Sequence, residues 1–421
     1  KASSGNRQSK IENRQLHAES LFRLSEAQYR TRQSEVAIET IQKAISLYQE
    51  LDDLSGAGRA QWILASAFFN LNRAEDLRRA ALTALELCQK AGDQYGIGNA
   101  FNILSFTDTD IAKKIQHVQQ ALSAFESAGY VERQAIVLDN LASALSEMGL
   151  YPHSNRLQSE VVEINRATGA NMGLAYSVGN IINTELLLGD LDSALLHLQE
   201  LETLVHNLGD PNMEAYLFHN RADLALATGD LKTAIRHQKS GLKIDIEAQT
   251  GSEHTTLTEL AKMYLAAGDL AATLKATAKA TALHRAQNFA KPDSLASQTI
   301  WWRHVQALNA NKKTKEVREA LDRAYDFLLE SITNIRDAGL RRNALNKVED
   351  NRKLLQFWVK DGAQRKLPKE RLFAHLNIES NLREPFQRLA DTGLRLNALK
   401  TVSEIQTFLV EEATELSGGE R

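Results

Sequence analysis

The sequence predicts an all-α fold, a solenoid of antiparallel helical hairpins, on three observations. Proline is scarce, at 5 in 421 residues, while Ala, Leu, Glu, Gln, Lys and Arg, which lose least on entering a helix, are abundant. Gly149-Leu150, Gly189-Asp190, Gly229-Asp230 and Gly268-Asp269 recur about every 40 residues, within the range of helical-repeat periods. Each pair separates two stretches of helical apolar periodicity. The chain is longer than a common single domain, and a repeat array accounts for that length.

The glycine of each pair ends one helix in a left-handed cap, and the aspartate caps the next, so each pair marks the turn of a hairpin. Hairpins are expected over 12 to 50, 56 to 91, 94 to 128, 131 to 168, 171 to 208, 211 to 249, 252 to 288 and 293 to 336. Their joints are polar and turn-forming, as at Ala91-Gly92-Asp93 and Leu208-Gly209-Asp210-Pro211-Asn212. The third hairpin lacks a Gly-Asp turn and is short through Thr107-Asp108-Thr109-Asp110; the eighth has Asn309-Ala310-Asn311-Lys312 in its place.

Around these turns, large and small apolar residues alternate at set offsets. Leu141-Ala142, Arg221-Ala222 and Leu260-Ala261 lie in first helices, followed by Leu145 and Tyr264. Ala37, Ala194 and Ala234, then Ala44, Ala84, Ala121, Gly241, Ala280 and Ala324, lie in second helices. This pattern resembles the tetratricopeptide repeat, in a longer-period form similar to the arrays of bacterial signalling regulators and cargo adaptors. The resemblance implies a right-handed superhelix whose first helices line an inner groove, and a scaffold that binds another polypeptide.

Asn102, Asn140, Asn180 and Asn220 recur at equivalent places in four successive first helices. An amide offers both a donor and an acceptor, so such a ladder can hydrogen-bond an extended peptide backbone of any sequence. Ser105, Ser143, Asn183 and Asp223 share that face, with Tyr176 and Tyr216 one turn earlier, adding rigid contact area. The competing reading has the asparagines bonding across to the next hairpin and stiffening the array. A second functional class is a small-molecule sensor with a pocket near Trp301, Trp302 and His304, though adjacent side chains on a helix point about 100° apart and cannot form one sandwich.

Other chemistries find no support. The formal charge of -3 gives no basic footprint for nucleic acid. Cys88 is the single cysteine, flanked by Leu85 and Leu87, and reads as a packed core thiol of a cytoplasmic protein. No apolar stretch approaches the roughly 20 residues of a membrane span. Gly96-Ile97-Gly98-Asn99-Ala100-Phe101 lacks the preceding strand that a phosphate loop needs. Leu416-Ser417-Gly418-Gly419-Glu420-Arg421 echoes a transporter-ATPase signature without any Gly-x-x-x-x-Gly-Lys-Ser/Thr loop. No catalytic constellation, metal-ligand spacing or cofactor motif is present; His197 and His237 share a repeat position and read as surface or interhairpin residues.

Three regions are expected: the array over 1–337, a helical cap over 338–395 and a signalling helix over 396–421. In the cap, Leu340, Leu345, Val348, Leu354, Leu355, Phe357, Trp358 and Val359 form an apolar stripe to cover the open end of the array. The basic residues beside it, Arg341, Arg342, Lys347, Arg352, Lys353, Lys360, Arg365, Lys366, Lys369 and Arg371, read as a solvated face, with an acidic partner or nucleic acid as the alternative. Pro385 precedes a last helix with Leu394, Leu396, Leu399, Val402, Ile405, Leu409 and Val410 on one face, suited to homodimer pairing. Leu396 to Arg421 resembles the opening helix of a GAF sensor domain. The chain starts on Lys1 and reads as the middle of a larger signalling protein. The expected function is a non-catalytic protein- or peptide-binding regulatory module without a cofactor.

Overall fold

Glycine and aspartate place the turns where the sequence predicts them. In the computed structural model, Gly149, Gly189, Gly229 and Gly268 take φ of 74°, 79°, 85° and 76°, the left-handed region that a side chain disfavours. Asp190, Asp230 and Asp269 each accept a hydrogen bond from a backbone N–H three residues on, satisfying an otherwise orphaned donor of the next helix. In the eighth hairpin Lys312 takes the left-handed place, at φ 59°. The structure describes residues 2–376, except 32, 72, 109, 110, 249, 250, 291, 293, 294, 334 and 336, together with 401, 402, 405, 406, 408 and 409. Most of the last predicted helix, from Pro385 through the GAF-like stretch to Arg421, lies outside the described residues; within it Val402 and Leu409 are exposed and Phe408 is buried.

Two units, 1–140 and 141–421, are each described by themselves. In the first, α1 (Ala2–Arg30) packs on α2 (Ser34–Glu50), α3 (Leu54–Asn70) on α4 (Ala74–Ala91), and α5 (Gln94–Ser105) on α6 (Ile111–Ala128), with α7 (Val131–Glu147) beginning at its end. In the second, α8 (Tyr151–Thr168) follows the end of α7. The paired helices are α9 (Asn171–Leu188) with α10 (Leu191–Leu208), α11 (Pro211–Ala227) with α12 (Leu231–Glu247), α13 (Glu253–Ala266) with α14 (Leu270–Ala286), and α15 (Ser297–Ala310) with α16 (Thr314–Thr333). Then come α17 (Ala338–Asn346), α18 (Glu349–Gln364), the single turn α19 (Lys369–Leu372) and a 3-10 turn over Ala374–Leu376. α5 has only 12 residues, which is the shortening read from the missing turn. No helix among the described residues is long and apolar enough to cross a membrane.

Small residues set the spacing of the helices. Ala37, Ala44, Ala84, Ala121, Ala194, Ala234, Ala280 and Ala324 are all buried. Cys88 is fully buried, with its Sγ in the space a Cβ would need at both Gly58 and Gly96, and Gly98 faces the Phe125 ring in the same way. The Gly96-x-Gly98 pattern is thus explained by close packing.

At the other end, Trp358 is fully buried and stacks on Tyr325 with centroids 3.9 Å apart, fixing the later turns of α18 to α16. Arg365 forks onto Asp322 at 2.6 and 3.1 Å, and Arg371 pairs with Asp326. Arg341 donates to the Ile335 carbonyl and Lys353 pairs with Glu349. Much of the basic stretch therefore serves the chain's own contacts.

Candidate functional site

In the second unit, first helices of neighbouring hairpins touch, α9 with α11 and α13 with α15, so they form an inner layer. Counting nine residues back from each left-handed turn residue gives equivalent positions along that layer: Asn180, Asn220, Glu259 and Arg303. Six back gives Ser143, Asn183, Asp223, Lys262 and Gln306. The row therefore continues beyond the asparagines and changes character. Nine back, it is asparagine on α9 and α11 and charged on α13 and α15; six back, a hydroxyl, two amides and the charged Asp223 and Lys262 alternate.

The Tyr216 hydroxyl on α11 lies 2.7 Å from Asn180 Oδ1 and 3.2 Å from the Tyr176 carbonyl, and the Tyr176 and Tyr216 rings meet with centroids 5.6 Å apart. Gly179 makes room for this arrangement, because a Cβ there would fall 2.2 Å from the Tyr216 ring. Asn183 is exposed, with its amide donating to the Gly179 carbonyl, and Ser143 is exposed too. Asn220 is only 1% exposed; its Nδ2 donates to the Tyr216 carbonyl and its Oδ1 has no partner.

Asp223, half-buried one turn further along, has its carboxyl pushed up to about 6 by burial and by the negative charge of Glu259. In the first unit, Asn140 Nδ2 donates to Asn102 Oδ1 at 2.9 Å, a bond between neighbouring first helices. Ser105 is buried and donates to the Asn102 carbonyl, so it turns into the core.

Beneath the row, α11, α12 and α13 share a polar network. His219 Nε2 lies 3.1 Å from Asp245 Oδ2 and its Nδ1 3.3 Å from Gln238 Oε1, while the Thr256 hydroxyl donates to Asp245. Burial alone would lower the His219 pKa, but the Asp245 carboxylate prevails and raises it. Gly241 leaves the space this ring fills.

The charged end of the row meets the start of α18, a contact that sequence reasoning missed. Arg303, 7% exposed, places Nη2 2.6 Å from Asp350 and Nη1 2.7 Å from Gln306. Gln298 on α15 donates to Asn351 at 3.2 Å. Lys262, whose pKa is raised first by Glu259, also feels the charges of Asp223 and Asp350. The same corner reaches the turn between α7 and α8. A Cβ on Gly149 would stand 2.6 Å from Lys347 Cβ, and Tyr151 has its pKa raised by burial and by Asp350 and Glu349. α17 and the start of α18 thus bridge Gly149 and Arg303 across the inner layer. The register could have shown the charged positions, had the count from the turn been used in place of residue identity.

The region of Trp301, Trp302 and His304 is filled by the protein itself. Trp301 donates to His284 Nδ1 at 3.1 Å and packs among Phe289, Phe327 and His304. Trp302, 4% exposed, points instead to Phe357 of α18. His197 bonds Glu185, and His237 lies against the Phe218 ring, both within their own hairpins.

No family model and no curated protein matches this sequence. Solved structures do match. A Rap protein complexed with competence and sporulation factor superposes with a TM-score of 0.55 at 14% identity, over 84% of this chain and 99% of that one. The fold is the tetratricopeptide-type hairpin array. The apo form of RapI gives a TM-score of 0.54 at 12% identity, over 65% of this chain and 99% of that one. The Rap conjugation gene regulator of plasmid pLS20, in complex with the Phr* peptide, gives 0.51 at 12% identity, over 78% and 95%. At these identities the likeness is one of fold.

Proposed function

We propose that the inner layer of the second unit binds an extended peptide, and that the chain is a non-catalytic regulatory scaffold whose peptide occupancy is passed to a partner or a fused domain. The observation that carries this reading is the row of Asn180, Asn183, Tyr176 and Tyr216, which sets amide and phenol groups side by side on adjacent first helices. Amides can pair with both the N–H and the C=O of an extended backbone, which carries one of each per residue. Two of the solved structures with this fold hold a signalling factor or peptide, which supports the same use here.

The test is selection from a library of random-sequence peptides, followed by photo-crosslinking of a selected peptide. A benzoylphenylalanine at Asn183, on the inner layer, should capture it, and one at Lys243, exposed on α12, should not. Capture from Lys243 alone, or a library that yields no binder, overturns the reading.

A further inference from the structure

α18 is held unequally along its length. Its later turns are anchored by the buried Trp358 stacked on Tyr325 and by the Arg365 fork on Asp322. Its first turn and α17 make a polar seam instead. There Asp350 keeps 23% of its side chain exposed, and Lys347 lies against the bare backbone of Gly149.

The seam is matched by charge. Lys262 and Arg303 occupy the inner-row positions at which earlier hairpins carry Asp223 and Asn220 or their equivalents; Asp350, in the acidic first turn of α18, lies 2.6 Å from Arg303, while the neighbouring Glu349 pairs with Lys353. An arginine fork and an ammonium on adjacent helices suit two neighbouring carboxylates on an extended or helical segment. We propose that Lys262 and Arg303 form a carboxylate-binding end to the groove, whose Arg303 is occupied in this structure by the chain's own Asp350, so that α17 and the first turn of α18 act as a strap, a built-in competitor of an acidic peptide ligand.

This proposal rests on the peptide-binding reading and adds the chemistry of the ligand: a pair of adjacent acidic side chains at the end that lies over α13 and α15. Release of the strap would uncover Arg303 and free α17, coupling ligand arrival to movement at the C-terminal side of the unit.

The experiment uses a fluorescent synthetic peptide copying residues 345–355, titrated against the full chain by anisotropy. The wild type, Glu349→Gln/Asp350→Asn, and the same double variant with Arg303→Gln are compared. With its own carboxylates neutralised the double variant should bind the probe about tenfold more tightly than the wild type, as expected when a competent state goes from a minor to the major population. Adding Arg303→Gln should remove that gain. Equal affinity for wild type and double variant, or no binding to either, overturns the proposal. Asp350→Asn alone serves the same comparison if the double variant does not fold. Hydrogen exchange supplies a second reading: α17 and the first turn of α18 should exchange faster in the acid-neutralised variant while α16 is unchanged, and unchanged exchange in α17 counts against the strap. A library peptide that crosslinks at Asn183 while the probe fails strikes this proposal and leaves the peptide reading standing.

Discussion

The Tyr216 hydroxyl lies 2.7 Å from Asn180 Oδ1 and ties α11 to α9 across the inner layer of the second unit. Tyr216→Phe keeps the ring in the hollow at Gly179 and removes this one donor. Loss of a part-buried hydrogen bond should lower stability by about 0.5–1.5 kcal/mol. Urea unfolding of the two proteins measures it, and an unchanged midpoint would show that the bond contributes nothing.

Gly179→Ala sets two effects against each other. Alanine gains about 1 kcal/mol of helix propensity over glycine. The new Cβ would stand 2.2 Å from the Tyr216 ring, and moving a packed ring costs about 1–3 kcal/mol. That ring is held through its hydroxyl as well, so the clash should win and the variant should unfold at lower urea. A stabilised variant would mean that the ring moves freely.

Asp223 gives the second unit a pH signature. Its carboxyl is raised from 3.8 to about 6 by burial, with Glu259 adding to the effect. The folded state therefore holds this proton more tightly than the unfolded chain does. Its contribution is fully present below 3.8 and is lost as pH rises through about 6. His219 acts in the same direction: its pKa lies above the ordinary 6.5, so its contribution is full below that value and is lost as pH rises through the raised one. Asp223→Asn should raise the Tm at pH 7.5 and make little difference near pH 4. A Tm gain of equal size at both values would contradict the assignment.

Cys88 should be inert in the native chain. It is fully buried between Gly58 and Gly96, and burial pushes its thiol up to about 12, whereas the thiolate is the reactive form. A thiol reagent such as dithionitrobenzoate should label it in urea and leave it unmodified in native buffer. Rapid labelling of the folded protein would show that α4 and α5 open readily at this point.

Nearly all of the hairpin array was legible because its signals are local. Gly189-Asp190 and its counterparts announce a left-handed cap followed by an N-cap, and the structure places both. The inner row was legible in part. Asparagine identity marked Asn180 and Asn220, but the row passes on to Glu259 and Arg303, which share only a register and not a residue type. The strap left no sequence signal at all. Lys347 packs on Gly149 and Asp350 bonds Arg303, contacts between residues far apart in the chain with no periodicity to show them. From the apolar stripe of α18 the sequence leads one to expect a cover for the open end of the array, and one residue of that stripe, Trp358, stacks on Tyr325 of α16; the return of α17 to the turn before α8 required the fold.

The most direct test of the central claim is the affinity of one selected peptide for the wild type and for Asn180→Ala/Asn183→Ala, measured beside the Tm of each. Two lost hydrogen bonds at about 0.5–1.5 kcal/mol each should weaken binding roughly tenfold or more, with the variant still folded. Unchanged affinity together with a lowered Tm would show that these amides only stiffen the array, and the groove would lose its assigned role.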